Sequence, residues 1–481
     1  MSDRKNDFLK AAEALGLTVY PPSVDEAEGT VCAIVRTEDG KCLAALGEKA
    51  SAFAGTDRGR LRLCPLSTEN AAVLTALFPY LAPRSHRGHA FTFGLGDRLG
   101  LATPGHLRAI AGFEAFPVLA QQSIRELNLT GRSFPDVIAA AAFGAMQAGH
   151  RSGYGADGDH LKTHAEIRYA LEGGCSMITL DCSEHIDAGA SALGEAAAGE
   201  AYAALPESLR RHYETEYLGK DLPVVGPLSE GELRRIVLTF HRAIRHAADC
   251  WQLIRETSGE ADFELSIDET STVTTPAEHL VIAMELARAG VRPDSVAPHF
   301  SGTFEKGVEY AGDLAAFTRD LTAHQEIAGR FGYKLSLHSG SDKFSVFPAV
   351  GRITGGRVHV KTAGTSWLEA LAVLAERDPA LFRRTLACAM ERRPEAEKYY
   401  HVSTKVREIP DPAEKKDGAL PEYLLLPASR QTLHIAYGLL LAEPWFREPF
   451  FRLLDRREED YAARLEAHIG KHLRLLTPEK G

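Results

Sequence analysis

From His89 onward the chain repeats one pattern: a short apolar run ends in polar or glycine-rich residues and gives way to a stretch with helical spacing. In order the runs are HAFTFGLGD, FPVLAQQS, GYGADGDH, MITLDCSEH, FELSIDET, SVAPHFSG, KLSLHSGSD and RVHVKTAG. Strands alternating with helices predict a parallel sheet with right-handed crossovers. Eight of them close a TIM-type (β/α)8 barrel, assigned here to residues 87–370. The intervening helices carry their own start signals. Thr163-His-Ala-Glu166 reads as a capping box, and Thr275-Pro276-Ala-Glu278 adds a proline at the first helical position. The competing fold is an open doubly wound sheet. Its usual mark would be G-x-G-x-x-G, but Gly94, Gly96 and Gly100 follow a different spacing, which suits a closely approached turn better than a nucleotide loop.

Three segments depart from this rhythm. Residues 1–86 contain VCAIVRTEDGKCLAAL, two apolar runs around Asp39-Gly40, a hairpin signal in a small α/β appendage. Between the fourth and fifth runs, residues 187–261 hold two long helical patterns, ASALGEAAAGEAYAAL and GELRRIVLTFHRAIRHAADCWQLIRE, too much for one crossover. They predict a helical insertion. Residues 371–481 read as a helical extension interrupted by the Pro- and charge-rich REIPDPAEKKDGALPE.

Composition narrows the functional classes. A net charge of −10 argues against nucleic-acid binding, and any anionic substrate must be met by local Lys and Arg. Seven cysteines, odd in number and without a C-x-x-C pair, suggest neither a disulfide framework nor a structural zinc site, so a reducing cytoplasm is expected. No apolar run approaches a membrane span, and the charged N-terminus lacks the apolar core of a signal peptide.

In such a barrel the chemistry sits at the C-terminal ends of the strands. Reading only those ends collects Arg98, Asp159, His160, Asp268, Glu269, His299, His338, Lys343, His359 and Lys361, among others. Turn chemistry explains Asp and Gly there but has no reason to place histidine at four or five strand ends. Imidazole is the commonest metal ligand, so a divalent cation is expected, with His338 the foremost ligand, His160 and His299 next, and His185 and His359 in reserve. Three imidazoles accept zinc, manganese, cobalt or nickel alike. Asp159 and Glu269 face each other across the expected mouth as a proton-transfer pair, whereas Asp157 and Asp268 read as caps of the segments that follow. Lys343, Lys361 and Arg98, with Lys306 in addition, supply positive charge for a bound anion.

Taken together, FGLGDRLGLATPGH, GADGDHLKT, ITLDCSEHI, FELSIDET, GTFEKGVEY, LSLHSGSDKFSVFP and HVKTAGTSWLEAL resemble the tagaturonate epimerase family, also described as tagaturonate/fructuronate epimerases, over most of the chain. The resemblance implies a metal-dependent sugar-acid epimerase of hexuronate breakdown that interconverts D-tagaturonate and D-fructuronate. It also implies a metal-binding histidine set, placed on His160, His299 and His338, and an acid/base pair, placed on Asp159 and Glu269. The two ketouronates are β-hydroxy ketones, which makes retro-aldol cleavage and recombination the expected route. A metal-dependent aldose–ketose isomerase and a non-catalytic carbohydrate-binding barrel are the alternatives. The first predicts movement of hydrogen between adjacent carbons, the second a mouth poor in His and acid.

Overall fold

A computed structural model describes residues 2–268, 270, 272–400 and 402–477. Its centre is a closed barrel of eight parallel strands, one for each of the eight runs. The barrel strands are β1 (Phe91–Leu95), β2 (Ala115–Ser123), β3 (Gly155–Leu161), β4 (Met177–Asp181), β5 (Asp262–Ile267), β6 (Ser295–Pro298), β7 (Lys334–Leu337) and β8 (Val358–Thr362). Neighbours in sequence are neighbours in the sheet, and β8 closes on β1 with Lys361 opposite Gly94.

Period-2 alternation decides what fills this barrel. Along β5, Phe263, Leu265 and Ile267 face the helices while Asp262, Glu264 and Ser266 point inward, and all six are buried. Apart from Met177 at the start of β4, the inward set on β4, β7 and β8 is likewise polar: Thr179 and Asp181, Lys334 and Ser336, His359 and Lys361. Barrel interiors are ordinarily layered with Val, Ile and Leu. Here the lumen is polar, so a buried inward group left without a partner stands out.

Both capping boxes form, at Thr163 with Glu166 and at Thr275 with Glu278. Gly94 and Gly96 serve close approach rather than phosphate binding. A Cβ on Gly94 would sit 1.8 Å from Gln121 Oε1, and one on Gly96 2.7 Å from Ala363 Cα.

The N-terminal appendage is a six-stranded sheet with a helix, Asp3–Ala14, packed on it. In its hairpin Thr37 pairs with Gly40, so the tight turn is Glu38-Asp39 and Gly40 (φ 122°) opens the return strand. The insertion after β4 is helical, but its first half divides into three short helices, Ala188–Ser191, Glu195–Ala203 and Glu207–Tyr217, before the 28-residue helix Glu230–Thr257. Gly194 starts the second of these and Pro206 the third, breaking a pattern that apolar spacing alone would have continued. The C-terminal extension is helical as expected and ends in Glu458–Leu476, which lies against the helices Thr103–Ile110 and Phe347–Thr354 around the barrel. Among the described residues no helix is long and apolar enough to cross a membrane.

Candidate active site at the barrel mouth

The stretch Tyr154–Leu161 explains how a carboxylate and an imidazole come to share one strand end. Opposite β4, Gly158 pairs with Ile178 and Leu161 with Leu180, so Asp159 and His160 form a bulge, and His160 adopts φ 52°. This left-handed conformation costs a residue with a Cβ about 1 kcal/mol or more, and such strain concentrates at functional sites. In return, consecutive side chains reach the same mouth.

Lys361 is the hub of the lumen. Its Nζ lies 2.7 Å from Asp157 Oδ2, 2.7 Å from Asp159 Oδ1 and 2.8 Å from Glu264 Oε1, and donates also to Thr179. Burial would neutralise the ammonium, but the three carboxylates hold it protonated well above the ordinary lysine value. The acids divide accordingly. Burial raises Asp157 further than Lys361 can lower it. Burial of Asp159 is outweighed by Lys361 and by the imidazoles of His160 and His338, which keep it ionised.

Glu264 Oε1 is 2.7 Å from His338 Nε2 and fixes that ring. His338 Nδ1 is left 3.2 Å from Asp268 Oδ1, without the alignment of a hydrogen bond. Burial disfavours the imidazolium, but Asp268 and Glu264 together lift His338 to about 10. The His160 ring stands edge-on to it with centroids 4.9 Å apart, and among the described residues His160 Nδ1 has no hydrogen-bond partner and lies 3.9 Å from Asp181 Oδ2. One ligand atom each from His160, Asp268 and His338 lies within 4.8 Å of the others, a group able to hold a metal ion. Two imidazoles and a carboxylate converging in this way are a donor set that suits a divalent cation. Two other groups meet the same distance test, His164/His246/Cys250 and Asp342/His468/His472. In the second, Asp342 accepts from His468 and Arg430 and His472 accepts from the Asp342 amide, so its atoms are already engaged.

Asp159, His160, His338, Lys361 and Arg98 all line one cavity. The other residues expected at the site lie elsewhere. His299 faces the adjoining cavity, hydrogen-bonded to Thr270, and among the described residues it joins no ligand group. Lys343 is fully buried and donates to the carbonyls of Glu305, Val308 and Ser341. Arg98 is paired with Glu126 at 2.9 Å and stacked on Tyr437 at 3.7 Å. Glu269 lies outside the described residues. His359 sits below Lys361 and contacts Thr92, and His185 stacks on His246 of the insertion. Asp157 and Asp268, read from sequence as caps, instead belong to the lumen and the mouth. Glu264 escaped a reading confined to strand ends, although the alternation D-F-E-L-S-I marks it as inward.

The model of the tagaturonate epimerase family matches residues 20–476. The chain belongs to that family. Among its relatives, the tagaturonate/fructuronate epimerase of Thermotoga maritima is 39% identical over 472 residues, which covers 96% of this chain and 97% of that one. Two crystal structures of the fructuronate-tagaturonate epimerase of Cohnella laeviribosi superpose with a TM-score of 0.95 and cover 99% of each chain. They are a complex with one glycerol, at 47% identity, and the native form, at 46%. The protein is thus a carbohydrate epimerase, an isomerase on a closed β/α barrel. In this epimerase the mouth combines a trio that could hold a metal ion, an ionised carboxylate on Lys361, and Gln121, which borders the cavity of Asp159 and Lys361 and whose buried Oε1 has no partner among the described residues.

Proposed function

We propose that this epimerase interconverts D-tagaturonate and D-fructuronate by retro-aldol cleavage and recombination, with a divalent cation held by His160, Asp268 and His338. The observation that carries the reading is the convergence of His160 and His338 with the Lys361–Asp159 ion pair on one cavity, with Asp268 reaching His338 from the adjoining one. When bound, such a cation supplies Lewis acidity toward a developing enolate oxygen.

The carbon inverted lies one position beyond the carbon next to the ketone, so its hydrogen is not acidified by the carbonyl. Its hydroxyl is another matter. Asp159, kept ionised by Lys361, accepts the hydroxyl proton as the adjacent carbon–carbon bond breaks. The bonding pair passes into the ketone to give an enolate, and the hydroxyl carbon becomes an aldehyde. Lys361 bridges Asp159 to Asp157, whose raised affinity gives the proton a second place to rest. After the aldehyde half turns, the enolate attacks its other face and Asp159 returns the proton. Gln121 Oε1, unpartnered among the described residues, accepts from a substrate hydroxyl and holds the half that stays. Glu269, next in sequence to Asp268, is assigned as the partner acid, and His299 as a contact from the adjoining cavity.

Isotopes test the route. In D2O the inverted carbon should acquire no solvent deuterium, and substrate deuterated there should keep its label through many turnovers. Wash-in at that carbon would refute carbon–carbon cleavage.

A further inference from the structure

A uronate differs from a neutral ketose by one carboxylate, and something at this mouth must receive it. Lys361 is surrounded by three carboxylates, Arg98 is paired with Glu126, and Lys343 spends its ammonium on three backbone carbonyls. Lys306 differs. It borders both the catalytic cavity and the adjoining one, and its Nζ donates to Ser339 Oγ at 2.8 Å. Among the described residues no carboxylate oxygen lies within 4.0 Å of it. The nearby acids have other partners: Glu305 accepts from Ser403 and Gln431, and Glu309 from Ser345 and the Tyr310 amide.

The loop carrying this lysine is clamped from behind. Lys343 donates to the carbonyls of Glu305 and Val308 on either side, and Arg430 donates to Gly307 while bound to Asp342. Ser339, the partner hydroxyl, sits at φ 49°, a strained conformation directly after His338. Such effort fixes one ammonium beside the proposed cation site.

We propose that Lys306 is the specificity-determining residue that binds the substrate carboxylate, with Lys343 and Arg430 as positioning residues for its loop. The assignment rests on the sugar-acid reading above. Calorimetric binding of D-tagaturonate and of neutral D-tagatose to wild type, Lys306→Met and Lys306→Arg tests it. Loss of one charge-assisted hydrogen-bond donor predicts uronate binding weaker by on the order of 10–100-fold in Lys306→Met. Tagatose affinity should move less than about twofold, and Lys306→Arg should recover most of the uronate affinity. Uronate binding unchanged in Lys306→Met, equal losses for both sugars, or an arginine variant no better than methionine would overturn the assignment. Failure of the epimerase reading would look different, as wild-type protein that binds the uronate without converting it.

Discussion

At the scale of single residues, His338 concentrates the most consequences. Its Nε2 is tied to Glu264, which sets the ring plane and leaves Nδ1 facing Asp268 and the His160 ring. A carboxylate holding the far nitrogen of a ligand histidine is the usual way a protein fixes that ligand's orientation and basicity. His338→Ala is therefore expected to reduce bound divalent metal from about one per chain to none, with turnover lost as well. Atomic emission on the purified variant, paired with an epimerisation assay, gives the answer. Metal and turnover both retained would remove the central ligand. Much of this was legible in the sequence, because SLHSGSD and DGDH put imidazoles at strand ends where a barrel places its chemistry. What escaped did so for physical reasons. A mid-strand glutamate such as Glu264 reads as ordinary alternation until the lumen proves polar. Asp268 cannot be told from a cap before the His338 ring is seen 3.2 Å away. A loop lysine such as Lys343 has the same letter whether it meets an anion or three carbonyls.

At the scale of elements, the helices outside the barrel carry a second set of buried imidazoles that serve packing. His279, on the helix Pro276–Arg288, and His324, on the helix Leu314–Phe331, share an Nδ1···Nδ1 hydrogen bond of 2.9 Å, and Tyr333 reaches His279 Nε2 at 2.7 Å. One of those two nitrogens must accept, so the pair cannot be doubly protonated without breaking the contact. Burial lowers His324 to about 4 and His279 well below its ordinary value. The sign follows from linkage. Between the unfolded value near 6.5 and the folded one near 4, the unfolded chain binds more protons, so stability is present above that window and is lost as pH falls through it. Acidification from about pH 7 to about pH 5 should cost about 2 kcal/mol through His324 alone, and replacing His324 by Gln should flatten the slope over that interval. Denaturant titrations of both proteins across the interval measure it. Parallel slopes would mean that the pair does not stay neutral in the folded state. The helices themselves were foreseeable from their caps, but the pairing of two imidazoles across neighbouring helices was not, since it depends on which helix faces meet.

At the scale of the whole molecule, the question is whether the C-terminal extension is an ornament on a self-sufficient barrel. Its last helix, Glu458–Leu476, buries Leu465, Ile469, Leu473 and Leu476 to within about 1% of full burial. The same helix supplies His468 and His472 to Asp342, and Asp342 in turn holds Arg430 against the loop of Lys306. Packing and site geometry thus run through one element. Full burial of a Leu or Ile side chain contributes roughly 1.5–3 kcal/mol, so these four contribute on the order of 6–12 kcal/mol. Folded chains stand only about 5–15 kcal/mol above their unfolded states. A chain ending at Arg457 is therefore expected to lose cooperative unfolding and near-ultraviolet circular dichroism and to elute as an expanded or aggregated species. If instead the shortened chain unfolded cooperatively and still epimerised substrate, the barrel would stand by itself. The packing of helix 458–476 would then contribute far less than its burial implies, and the link from Asp342 through Arg430 to the mouth would be dispensable.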